Sequence, residues 1–74
     1  MKERIIKILA SYNCYSDYMK ALYIRDLLNV LTELEILNVI TPEEYREIEV
    51  IIFSYVDENN LHIELCKLMA EDNI

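Results

Sequence analysis

Glycine and tryptophan are absent from this 74-residue chain, which holds one proline, one histidine and two cysteines. Each shortage excludes something. Without glycine no backbone loop can wrap closely around a phosphate group, so nucleotide-binding loops are ruled out. β-Hairpins need residues at positive φ, which Gly or Asn supplies. The candidates here are Asn13, Asn38, Asn59 and Asn60. They fall where apolar helical patterns end and read as helix punctuation. Acyl transfer needs a base beside a nucleophile and an oxyanion hole built on tight turns. One histidine and no glycine offer neither, so no enzyme is expected. No apolar run approaches the roughly 18 residues of a membrane-spanning helix. Lys7 breaks the apolar N-terminal run, and no small-residue cleavage site follows it, so no signal peptide is expected. Cys14 and Cys66 make no disulfide framework and suit a reducing cytosol, giving a cytoplasmic expectation.

Basic charge is also scarce. Seven Lys and Arg face 14 Asp and Glu, for a net charge of −7. Residues 1–25 carry +3 and residues 26–74 carry −10. Counterion release from nucleic acid needs clustered cations, so direct nucleic-acid binding is not expected. The acidic part is suited to a partner with a basic surface.

What is present is apolar. The hydrophobic share is 54%, high for a domain without glycine to contribute. A chain this short buries only about 60% of its surface. Apolar side chains left without a home usually form a self-association or partner surface, so a homodimer is expected.

The pattern is all-α, a single domain of three or four antiparallel helices spanning residues 1–74. Helix 1 is expected from about Lys2 to Tyr12, with Ile5, Ile8, Leu9 and Tyr12 at helical spacing. Asn13 is placed in the left-handed position ending it, and Ser16 at the cap of helix 2. Helix 2, about Asp17 to Asn38, is the long central one. Its stripe is Ile24, Leu27, Leu28, Leu31, Leu34 and Leu37, widened by Met19, Leu22, Tyr23 and Val30. Thr41 is a good N-cap, Pro42 suits the first helical position, and Glu44 can close a capping box. Ile40 and Tyr45 flank it as a hydrophobic staple. Helix 3 runs from Pro42 to about Val56, and is also apolar on more than one side. Asn60 is read as the cap of helix 4, about Leu61 to Glu71, whose buried face is Leu61, Leu65, Leu68 and Met69.

Four groups of side chains are candidate sites. His62 and Cys66 share a face of helix 4, but a structural zinc site needs four ligands, so no metal or cofactor is expected. Glu43 and Glu47 pair on an exposed face rather than in a desolvating cleft, which general acid chemistry requires. Tyr12, Tyr15, Tyr18 and Tyr23 crowd the first break; tyrosine gives large contact area with few rotors and recurs at binding hot spots. Asp26, Glu33 and Glu35 with Glu43, Glu44, Glu47 and Glu49 are the acids of a possible negative face. The partner-binding set expected from the sequence is therefore Asp26, Glu33, Glu35, Glu43, Glu44, Glu47, Glu49, Tyr12, Tyr15 and Tyr18.

Residues 31–48, LTELEILNVITPEEYREI, resemble the SHOCT-type short helical hairpin. In that family a leucine-rich helix ends, an Ile-Thr pair turns the corner, and Glu-Glu-aromatic opens the next helix. Asn38 and Val39 stand in place of the usual glycine before the Ile-Thr. The resemblance covers about a quarter of the chain and implies an oligomerisation or accessory role. In size, charge and Ile/Asn/Tyr-rich composition the chain is also similar to small acidic phage and mobile-element proteins, including anti-CRISPR and other anti-defence inhibitors. That likeness implies occlusion of a basic nucleic-acid-handling surface on a host protein.

Overall fold

The computed structural model describes residues 2–72. It consists of α1 Lys2–Ser11, a short 3-10 turn Tyr12–Cys14, α2 Asp17–Ile36, α3 Pro42–Glu58 and α4 His62–Asp72. No strand occurs among the described residues.

The helix ends obey local rules. Ser16 Oγ accepts the Met19 N–H at 3.3 Å and starts α2. Thr41 Oγ1 accepts the Glu44 N–H at 3.1 Å, and Glu44 Oε1 accepts the Thr41 N–H at 3.2 Å, closing the expected capping box. Ile40 is buried, and Tyr45 packs half-buried on the same core, as a staple requires.

The α2–α3 and α3–α4 corners both use asparagine as a stop. Asn38 has φ 60° and Asn60 has φ 55°. After α2, Val39 N–H reaches back to Leu34 O at 2.9 Å and Asn38 N–H to Glu35 O at 3.0 Å. After α3, Leu61 N–H bonds Val56 O at 3.0 Å and Asn60 N–H bonds Asp57 O at 3.2 Å. Each pair is the double bond of a Schellman motif, which satisfies carbonyls that a helix end leaves open.

The helix ends correct three expectations. Asn13 is not left-handed but lies in the 3-10 turn, where its side chain accepts a bond from Tyr55. Asn60 does not cap α4, because the Schellman motif holds it as the stop of α3. Leu61 precedes α4 instead, its carbonyl accepting the Leu65 N–H at 2.9 Å. Helix 2 also ends at Ile36, two residues short of Asn38, so Leu37 falls outside the helix and is exposed rather than part of the stripe.

A left-handed backbone costs an L-residue with a Cβ roughly 1–2 kcal/mol, and Asn less because its side chain bonds locally. Asn60→Ala is therefore expected to lose about 1 kcal/mol of stability in urea melts, whereas Asn60→Gly should lose none.

Packing is set by which helices lie side by side. α1 packs on α3, α3 on α2, and α2 on α4. Polar contacts fix the directions. Lys2 Nζ meets Glu47 at 3.1 Å near one end of α1, and Tyr55 Oη donates to Asn13 Oδ1 at 3.0 Å beyond the other. The two helices therefore run the same way. Thr32 meets Tyr45 at 3.2 Å and Lys20 Nζ donates to Asn59 Oδ1 at 3.2 Å, so α2 and α3 run oppositely. Ile24, Ile48, Ile52, Val56 and Leu61 are enclosed at the centre, joined by Ile5, Leu9, Leu28, Leu31, Ile40 and Leu65. No buried side-chain polar atom among the described residues lacks a partner.

The domain measures 32 × 31 × 15 Å across its principal axes. It is a slab about half as thick as it is wide. A slab has two broad faces and little interior, which accounts for the apolar side chains left in solvent.

Candidate protein-binding corner

The corner between α2 and α3 carries the most exposed apolar group of the domain. Ile36 is 72% exposed, Leu37 70% and Val39 63%. Ile36 is the last residue of α2, Leu37 its C-cap, and Val39 follows the left-handed Asn38. The sequence places Glu33 and Glu35 just before them and Glu43 and Glu44 just after. Within residues 31–45 there are four acids and no Lys, Arg or His. The Schellman bonds on one side and the capping box on the other fix the backbone, so these side chains sit on a preformed knuckle.

The expected partner-binding residues do not share one face. Glu33 and Glu35, two residues apart, leave α2 about 200° apart; Glu33 is exposed and Glu35 half-buried. Glu43 is exposed, and Glu44 spends one carboxylate oxygen on the Thr41 amide. Glu47 is held by Lys2. Glu49 is half-buried on α3. Asp26 lies elsewhere, paired with Arg25 at 3.2 Å.

The tyrosines gather at the other end of α2. Tyr23 lies with its ring 5.3 Å from those of both Tyr12 and Tyr15, stacked on the former and tilted to the latter, and Tyr12 and Tyr15 are 6.2 Å apart. Tyr18 is exposed nearby. Burial raises the Tyr12 hydroxyl above its ordinary pKa of 10.0, helped by Tyr23 and by the negative Asp26. Asp26 thus belongs electrostatically with the tyrosines. Along α2 the rise from Tyr23 to Ile36 separates this cluster from the acidic knuckle by roughly 20 Å.

Burial, and secondarily Cys14, also raises Tyr55. A raised tyrosine keeps its proton longer in the folded state than in the unfolded chain. The stability it carries is complete below about pH 10 and is lost as pH rises through the folded value. Melts in alkaline buffer should fall more steeply for the wild type than for Tyr12→Phe or Tyr55→Phe.

His62 Nε2 pairs with Asp57 Oδ1 across the α3–α4 corner, and Cys66 is exposed on α4. Among the described residues no three His, Cys, Asp or Glu side chains are grouped to hold a metal ion. No helix among them is long and apolar enough to cross a membrane.

The knuckle was not expected from the sequence, because Leu37 counted in the buried stripe of helix 2, Ile36 lay inside that helix and Val39 counted as corner. The available signal was Asn38, whose left-handed turn ends α2 early. Comparison with protein-family models, curated proteins and solved structures gives no match.

Proposed function

We propose that this chain is a non-enzymatic protein-binding module that docks through the α2–α3 corner. The observation that carries the reading is the exposed Ile36, Leu37 and Val39 on a corner held by Schellman and capping-box hydrogen bonds. A preformed corner loses little conformational freedom on binding, so its apolar area converts more completely into affinity. The exposed acids Glu33 and Glu43 beside the corner select the partner. A second copy would bring like charges together at this corner. The fitting surface is an apolar pocket rimmed by Lys and Arg.

A basic surface built to hold nucleic acid has that rim. The reading therefore extends to an inhibitor of the phage or mobile-element, anti-CRISPR or anti-defence kind, which occludes a nucleic-acid-handling surface of a host protein. Occlusion would be steric at the knuckle and electrostatic around it, and association would slow as salt rises. The tyrosine end, with Tyr12, Tyr15, Tyr18 and Asp26, contributes only if the partner reaches along α2. Affinity capture from the native host with immobilised wild type and with Leu37→Lys tests the reading. A protein retained by the wild type and lost from the variant supports it; identical captures from both contradict it.

A further inference from the structure

We infer that the groove between α1 and α3 is a homodimer interface, in which α1 of one copy lies over α3 of a second copy. The groove is about 430 Å³ and lies between the C-terminal halves of the two helices. Its rims are Ile6 and Ala10 on α1 and Val50, Ile51 and Ser54 on α3. Ile6 and Val50 are more than half exposed, so the apolar rims stand in solvent in the single chain. Ala10 and Ser54 are small and let another helix approach closely.

Charge identifies the occupant. α1 carries Lys2, Arg4 and Lys7 against Glu3, while residues 42–50 of α3 carry Glu43, Glu44, Glu47 and Glu49 against Arg46. The two helices that flank the apolar groove are therefore oppositely charged. Because α1 and α3 run in the same direction, a two-fold axis along the groove sets each copy's α1 on the other's α3 at matching height. Ile6 then meets Val50 and Ile51 of the second copy. Lys7, which has no ion-pair partner among the described residues, comes within reach of Glu47 of the second copy. An axis across the groove would instead stack acidic α3 on acidic α3, which like-charge repulsion disfavours. A two-fold interface of this kind closes on itself and leaves both α2–α3 corners open.

Sedimentation velocity tests this on the intact chain. At ~100 µM the wild type should sediment as a dimer, as micromolar affinity would require. Val50→Glu, an exposed position, should be monomeric with unchanged helicity by circular dichroism. Lys7→Glu alone and Glu47→Lys alone should each weaken the dimer about tenfold or more, since each sets like charges opposite one another. Mixed one to one, the two reversed variants should restore it, because both pairs become opposite again. A wild-type monomer overturns the inference. So does a dimer that survives Val50→Glu, or a mixture no more dimeric than its components. None of these outcomes involves the partner sought by capture at Leu37, so the two ideas fail separately.

Discussion

Ile52→Ala is expected to leave the domain largely unfolded in dilute buffer. Ile52 lies mid-way along α3, is fully enclosed, and packs in the cluster that unites all four helices. Removing its branched side chain takes away buried area and leaves a cavity, at a cost of about 2–5 kcal/mol. A chain this short draws only roughly 3–5 kcal/mol from its core. The slab has few layers that could collapse into the gap. Val50→Ala, two residues away but 66% exposed, should change stability by no more than about 0.5 kcal/mol. Urea titration followed by helicity separates them: the Ile52 variant should lack a folded baseline, and the Val50 variant should keep one. If the dimer across the α1–α3 groove forms, every midpoint will also rise with protein concentration.

Leu37→Lys is expected to weaken partner binding by about 30-fold or more, the loss of a hot spot worth at least ~2 kcal/mol. Two effects act in the same direction. The apolar contact at the centre of the knuckle disappears, and a cation enters a contact whose far side is read as basic. The fold should not suffer, because Leu37 follows the last turn of α2 and is exposed. Charge reversal at Glu33 and Glu43 should act differently. Rim charges steer encounter, so these changes should lower the association rate and flatten its salt dependence more than they speed dissociation.

Much of the fold was legible in the sequence because capping is a local code. Thr41, Pro42 and Glu44 lie within four residues and need no tertiary partner to act. Ser16 before Asp17 was readable for the same reason. The run Asp57-Glu58-Asn59-Asn60 was harder, since two asparagines compete for the left-handed position. The choice fell to Asn60 because it lets Leu61 fold back against Val56, and both are fully buried. That contact is apolar and invisible to a search for caps.

Neighbour relations were not legible. Helical spacing set Ile5 and Leu9 on one face of α1, and both are buried while Ile6 is exposed. That this face seats on α3 follows only from the tertiary packing. The acidic residues looked like one group because they are close in sequence. Helix rotation separates Glu33 from Glu35, Lys2 takes Glu47, and Asp26 sits with the tyrosines. The knuckle escaped notice because helix 2 was carried on to Asn38, which kept Leu37 in its buried stripe; the observed helix ends at Ile36.

Amide hydrogen exchange on the captured complex tests the central proposal most directly. The account predicts new protection concentrated in residues 33–45, with the backbone around Tyr12, Tyr15 and Tyr18 exchanging as in the free chain. Protection confined to residues 12–26, with the α2–α3 corner unchanged, would contradict it.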